Sequence, residues 1–266
     1  MLNKIYKLKN FKKRIKFLNS SQYWSKNKIK NYQIESLKKL LFYVKNEIPF
    51  YSNFFFKNKI DIDKINSIQN IRIFPIINKK IIQRDPDLFL NFKNKKNINN
   101  RTTGGSTGTP LTVWSDLNFQ INDKANTLYY TKTFNIDIFS DRSIRIYGDK
   151  IPEKLIKKNI FWYYKNYKQL IFSSFHINSE TYTSYIEKIC SHKPSYIHSR
   201  SSTIFTIAKL IAENNLKFKV KLKYIFVDGE YLTNGQRKII EKVFNTRVIN
   251  IYGHTEGALI GHPCKY

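Results

Sequence analysis

Between Leu222 and Tyr252 the chain reads L-K-Y-I-F-V-D-G-E-Y-L-T-N-G-Q-R-K-I-I-E-K-V-F-N-T-R-V-I-N-I-Y. Leu222 to Val227 is a continuous apolar-leaning run of strand length, and it ends in Asp228-Gly229-Glu230. Thr233 and Gln236 have capping-box spacing, which predicts a helix from Thr233 to Phe244. Val248 to Tyr252 reads as a second strand, turned at Gly253. A strand, a helix and a strand in succession are what a parallel sheet is built from.

The same alternation extends outward. Ser143 to Tyr147 (S-I-R-I-Y) is a short strand ending at Gly148. Glu180 to Cys190 reads as a helix, and Pro194 precedes a β-like stretch, Ser195 to His198. Ser202 caps a helix through Ala212, and Leu117 to Phe134 is helical. The fold class is therefore α/β, with mixed, largely parallel sheets flanked by helices. Upstream the pattern is helical. Ile5, Leu8, Phe11, Ile15 and Leu18 recur at helical spacing on a basic segment. Ile34, Leu37, Leu41 and Val44 share one face of a second helix, which stops before Ile48-Pro49 because proline lacks a donor. Phe74 to Lys80 reads as an extended passage into a short helix, and Asn91 to Asn100 as a solvated linker. The expected organisation is a basic N-terminal helical segment, 1–33, followed by one partial domain, 34–266.

Composition narrows the class. Aromatic residues make up 15% of the 266 positions, which excludes a disordered chain. No apolar run approaches the about 18 residues of a membrane-spanning helix, so no transmembrane segment is expected. The lysine-rich start has no apolar signal region. Two cysteines, Cys190 and Cys264, are too few for a disulfide scaffold and suit a reducing, cytoplasmic compartment. The net charge of +28 invites an anionic partner, either nucleic acid or an acidic surface. Yet the chain is saturated with Lys, Asn and Ile, as AT-rich codon usage produces. Residues 1–60 carry 15 bases against two acids, but the basic excess continues to the end. Nucleic acid is accordingly the less favoured partner.

Three stretches carry chemistry. Arg101 to Asp116 reads R-T-T-G-G-S-T-G-T-P-L-T-V-W-S-D. The amides of Gly104, Gly105 and Gly108, with the hydroxyls of Thr103, Ser106, Thr107 and Thr109, make a donor set for phosphate. It is neither a Walker A loop, for Pro110 follows Thr109 with no lysine, nor G-x-G-x-x-G. Val227 to Tyr231 (V-D-G-E-Y) and Asn250 to Gly257 (N-I-Y-G-H-T-E-G) both stand at strand ends, where open α/β sheets bind ligands. Tyr252 offers a ring for a base, Thr255 a hydroxyl for a phosphate and Glu256 a carboxylate for Mg²⁺. Each stretch, alone, also reads as a plain turn. Cys190-x-His192 and His262-x-Cys264 are too tightly spaced for a usual zinc site; the simpler reading is a buried thiol and surface histidines.

Together these stretches resemble the adenylate-forming enzymes, the acyl-CoA synthetases and their relatives. T-T-G-G-S-T-G-T-P looks like their phosphate-binding signature, and Y-G-H-T-E like their downstream Tyr-Gly-x-Thr-Glu motif. More narrowly the chain resembles the phenylacetate-CoA ligase branch, including CapK-type capsular polysaccharide proteins. E-S-L-K-K-L-L-F-Y-V-K-N-E-I-P-F-Y-S-N-F-F, F-P-I-I-N-K-K, S-S-F-H-I-N-S-E, K-P-S-Y-I-H-S and D-G-E-Y-L-T carry that likeness from about Ile34 to Cys264. The resemblance implies ATP-dependent activation of a carboxylate, with Mg²⁺, followed by transfer to CoA or an amine. It implies that Thr103, Gly104, Gly105, Ser106, Thr107 and Gly108 surround the ATP phosphates. Gly229 and Glu230 would border the adenine, Tyr252 and Gly253 would lie against it, and Thr255 would touch the α-phosphate. Glu256 would help bind Mg²⁺, and His176 would approach the carboxylate substrate. Thr107, Thr255 and Glu256 are the expected catalytic residues.

The sequence departs from the family in two respects. Thr103-Gly104-Gly105-Ser106 stands where many relatives have Ser-Gly-Ser, which shifts one hydroxyl. No ribose-gripping Asp motif, hinge or lysine-bearing C-terminal domain follows Y-G-H-T-E before Tyr266. The expectation is therefore an incomplete N-terminal domain of the adenylate-forming fold, with a separately encoded C-terminal half as a candidate partner. An inactive remnant and a basic nucleic-acid or anionic-surface binder stand as alternatives.

Overall fold

In a computed structural model, residues 5–91, 98–103, 110–257 and 260–264 are described. The chain divides into two compact units, 1–125 and 126–266.

The first unit opens with helices α1 (Lys9–Ser21), α2 (Lys26–Glu47), α3 (Pro49–Asn58) and α4 (Lys79–Arg84). Helix α2 starts eight residues before Ile34, because Ser25 caps it by accepting from the Lys28 amide, and it runs unbroken through position 34. It stops at Ile48, which is extended, yet Pro49 does not lead into extended chain. It occupies the first turn of α3, where its missing N–H costs nothing. Leu37 and Leu41 of α2 pack with Phe55 of α3 and with Ile65 in a small core. Asn78 caps α4. Part of the expected linker is a strand: β1 (Asn99–Thr102) pairs antiparallel with β2 (Thr112–Ser115). The division between the units falls inside α5 (Leu117–Thr133).

The second unit holds a six-stranded sheet made of β3 (Ser143–Tyr147), β4 (Trp162–Tyr164), β5 (Gln169–Ser173), β6 (Tyr196–Arg200), β7 (Tyr224–Asp228) and β8 (Val248–Asn250). Its helices are the single turn α6 (Glu153–Ile156), α7 (Tyr182–His192), α8 (Ser201–Glu213) and α9 (Asn234–Phe244). The strand order is β4-β5-β3-β6-β7-β8, with only β4 antiparallel. Beyond β8, β9 (Tyr252–Gly253) pairs antiparallel with β10 (Ile260–Gly261).

The strands are apolar on both faces, as buried parallel strands are. Ile144, Ile146, Leu170, Phe172, Ile197, Ile225 and Val227 point to one face and pack on Tyr185 and Ile189 of α7, Ile204, Ile207 and Ile211 of α8, and Ile240 and Phe244 of α9. Tyr196, Phe226 and Ile249 point to the other, against Tyr130 of α5 and Phe134 just beyond it. Thr233 caps α9 and forms the expected capping box with Gln236. The cap expected at Ser202 is not there. Arg200 stands at that position and helix α8 begins at Ser201, so Ser202 lies inside the first turn.

Two histidine readings change. His192 is buried, not on the surface: its Nε2 lies 3.3 Å from the Ser143 carbonyl and 3.2 Å from that of Lys168. Burial holds its pKa below the usual histidine value, against the pull of those two carbonyls. His262 sits among the rings of Tyr129, Tyr130 and Phe134. Cys190 and Cys264 are free thiols, the former half-buried. Among the described residues no group of three or more His, Cys, Asp or Glu could hold a metal.

Candidate functional site

The strand order locates the site. From β3 the chain goes to β5 on one side, then crosses to β6 on the other and continues through β7 to β8. The direction reverses between β3 and β6, and in open α/β sheets the crevice at such a switch point, beyond the carboxyl ends, is where ligands bind.

Those ends carry their charged groups on one face. Side chains alternate along a strand, so Arg145 and Tyr147 of β3, His198 and Arg200 of β6, and Asp228 of β7 share a face with Phe226. All five are half-buried. Asp228 is the hub: it accepts from the Tyr147 hydroxyl at 2.6 Å and pairs with His198 Nε2 at 3.0 Å. Burial pushes the Asp228 carboxyl up, but the His198 bond and charge, the Tyr147 hydroxyl and Arg200 outweigh it and hold the group below the ordinary aspartate value. Burial and the same carboxylate drive the Tyr147 hydroxyl far above the usual tyrosine value. The Arg145 guanidinium lies 4.5 Å over the Tyr147 ring and bonds Asp149 at 2.8 Å.

The D-G-E turn follows directly. Gly229 has φ +73°, a left-handed conformation that side chains rarely adopt, so the turn needs glycine. It aims Glu230 back at the sheet end, where the carboxylate accepts from the Ser202 amide at 2.9 Å and faces Arg200 at 3.6 Å. Burial raises the Glu230 pKa, but Ser202 and Arg200 lower it further, so the net shift is down. This interaction satisfies a first-turn amide of α8 that has no partner within the helix, and ties the start of α8 to the turn after β7.

The second motif leaves the neighbouring strand. β7 and β8 are parallel, so the D-G-E turn and the Tyr252–Gly257 segment emerge at the same end of the sheet from adjacent strands. Tyr252 is 64% exposed, enough to leave its ring open to a flat partner. Thr255 lies in a turn closed by the Gly257 amide on the His254 carbonyl at 2.9 Å. The exposed Glu256 carboxylate bonds His254 Nδ1 at 2.9 Å. His176 lies in a turn of 3₁₀ helix, Ser174–His176, with its ring stacked on Phe161 at 4.7 Å and its carbonyl accepting from the Thr181 hydroxyl.

In the first unit, Thr103 is bound by the chain itself. Its amide donates to the Leu111 carbonyl and its hydroxyl accepts from the Leu111 amide, both at 2.9 Å. Gly104, Gly105, Ser106, Thr107 and Gly108, together with Thr109, lie outside the described residues.

Sequence reasoning singled out Gly229, Glu230 and Tyr252 but not Tyr147, His198 or Asp228 as a set. The available signal was that Arg145 and Tyr147 in S-I-R-I-Y, and His198 and Arg200 in Y-I-H-S-R, recur at every second position near the carboxyl end of a buried strand and so share a face.

Solved structures share this fold. One, 2-hydroxyisobutyryl-CoA ligase in complex with 2-HIB-AMP and CoA, superposes with a TM-score of 0.61 at 13% identity, over 84% of this chain and 49% of that one. The same ligase in its postadenylation state gives 0.62 at 14% identity, over 84% and 47%. The class is thereby defined by its fold: the chain carries part of the fold of these acyl-CoA ligases. More particularly, it is 32% identical over 217 residues to protein CapK of Staphylococcus aureus, across 81% of this chain and 48% of that protein. The chain thus spans about half the length of the curated relative it matches. No protein-family model matches it. Among the described residues no helix is long and apolar enough to cross a membrane.

Proposed function

We propose that this chain forms the front part of an ATP-dependent carboxylate-activating enzyme, with 34–266 as a partial adenylation domain. The reaction joins a carboxylate oxygen to the α-phosphorus of ATP and releases pyrophosphate. A thiol such as CoA, or an amine, then takes the acyl group and AMP leaves. One observation carries the reading: the D-G-E turn and the Y-G-H-T-E segment leave adjacent parallel strands at the same sheet end, beside the switch point.

In this reading Gly229 and Glu230 border the adenine, Tyr252 lies flat against it with Gly253 leaving room, and Thr255 bonds the α-phosphate. Thr103 supplies its hydroxyl proton, and Gly104 to Gly108 supply amides and hydroxyls, to the phosphates, and His176 lies toward the carboxylate substrate. Charge gathers on the α-phosphate and the leaving pyrophosphate, so fixed donors lower the barrier. Glu256 would hold Mg²⁺. A single exposed carboxylate fits that role, since Mg²⁺ is commonly bound by one or two carboxylates together with phosphates and water. When bound, the ion would neutralise phosphate charge. A surface-polysaccharide role in the cytoplasm, and a separately encoded C-terminal half as partner, complete the proposal.

Calorimetry of the 266-residue chain with Mg·ATP tests it. Binding is expected for the wild type, with at least about tenfold weakening in Glu256→Ala and in Thr107→Ala, the scale of losing a charge-assisted contact. Equal binding by wild type and Glu256→Ala would remove Glu256 from the site.

A further inference from the structure

At the end of the sheet away from the D-G-E turn, where the chain enters β6 and β7, lies an open cavity of about 580 Å³. That volume is in the range of small-molecule pockets, about 300–1,000 Å³. One wall is the chain from the last turn of α7 to Ser195, with Cys190 and Lys193; the other is the run 219–223. Exposure alternates along that run. Val220 and Leu222 pack on the core, and Lys219, Lys221 and Lys223 are exposed. The lining therefore holds four lysines, and it contains neither an acid nor an arginine. Lys223 is already engaged, its Nζ lying 2.9 Å from the Asp141 carboxylate and 3.2 Å from the Asn135 carbonyl. Among the described residues, Lys193, Lys219 and Lys221 are in no ion pair.

Like charges on the two walls repel, and an anion between them offsets that repulsion. The C-terminal end of α7 opposes an anion, but only with the equivalent of about half a charge. Three unpaired ammonium groups outweigh it, and one of them, on Lys193, belongs to the residue that caps that helix end. Lysine binds phosphate as a point charge, whereas a planar carboxylate is best gripped by the guanidinium fork that this lining lacks. A phosphate monoester carries about two negative charges near neutral pH; a diphosphate carries more, closer to the charge of the three ammonium groups. We propose that this cavity binds a small molecule carrying a diphosphate, held by Lys193, Lys219 and Lys221. The site is distinct from the end of the sheet that bears the D-G-E turn, and the proposal does not depend on the carboxylate-activating reading. Cys190 takes no chemical part in it, but its half-buried thiol lines the cavity and so reports on occupancy.

The test follows alkylation of Cys190 by iodoacetamide in the whole chain, with Cys264→Ser removing the second, exposed thiol. The probes are inorganic pyrophosphate, orthophosphate and citrate, each at millimolar concentration and matched ionic strength. Pyrophosphate is expected to slow alkylation by at least about threefold, the protection given by a ligand at twice its Kd. Orthophosphate should protect less and citrate least. Protection should vanish in Lys219→Gln/Lys221→Gln. It should persist in Lys12→Gln/Lys13→Gln, an exposed pair in α1, and in Glu256→Ala, which separates this site from the proposed ATP site. No protection by pyrophosphate, protection that survives Lys219→Gln/Lys221→Gln, or protection lost equally in Lys12→Gln/Lys13→Gln overturns the proposal. Equal protection by citrate overturns the choice of phosphate. Circular dichroism checks the fold of each variant, and the single changes Lys219→Gln and Lys221→Gln, each expected to lose part of the protection, serve if the double variant does not fold. Should the half-buried thiol resist alkylation, amide NMR signals of Ser195 and Lys221 are followed during pyrophosphate addition. Saturating shifts confined to these residues and their neighbours support the site; shifts spread over lysines throughout the chain, or none, overturn it.

Discussion

Asp141 shows how one residue before a strand can hold several together. Its carboxylate accepts from Lys223 Nζ at 2.9 Å, from the Ser195 hydroxyl at 3.0 Å and from the Asp137 amide at 2.9 Å. It thereby joins the approach to β3 to the chain just ahead of β6 and β7. Burial raises its pKa, but these donors lower it more, so the folded carboxyl binds a proton less readily than the unfolded one. The stability it contributes is complete above the ordinary carboxylate range, about 4, and is lost as pH falls through the depressed value. Asp141→Asn should cost about 1–2 kcal/mol at pH 7, since Lys223 is partly solvated and the ion pair is screened. The gap between wild type and variant in urea melts should narrow from pH 5 to pH 3; a constant gap would refute the assignment.

At the scale of elements, caps and turns decide where helices begin. Thr233 and Gln236 satisfy each other's amides reciprocally at the start of α9. Thr233→Ala should lower stability by about 1 kcal/mol, read as a reduced melting temperature, while Thr233→Ser should restore most of it. That cap was legible because both partners are local. The start of α8 was not. Ser202 has the residue type of a cap, but it lies inside the first turn, where Glu230, 28 positions away, accepts from its amide. Pro49 shows the same limit in another form. The proline ends α2 as its chemistry requires, yet whether chain beyond it is extended or helical depended on Phe55 finding Leu37 and Leu41.

The whole molecule carries 47 bases against 19 acids, so most cations lack a countercharge. Among the described residues, Asp141, Asp149, Glu213, Glu230 and Glu241 sit in ion pairs of the second unit. Net repulsion among the remainder opposes compactness and is screened over about 8 Å at physiological salt. The melting temperature should therefore rise, by roughly a few degrees, between 20 and 300 mM NaCl. A fall would mean that the ion pairs outweigh the repulsion.

Alternation of strand and helix, the glycine-bearing turns and the two motif segments could be read from the sequence alone, because periodicity, caps and turns are set by residues within a few positions of one another. The α/β class, strand β3 to the residue and the capped start of α9 follow from that local chemistry. The strand order was not available, since pairing joins residues far apart: β3 lies between β5 and β6 only once all three have found a common core. With the order came the switch point, and with it the meeting of Tyr147, His198 and Asp228, each ordinary in its own strand. Hydrogen bonds that span 30 and 81 positions leave no local signature. A parallel sheet makes them, by setting the carboxyl ends of separate strands side by side.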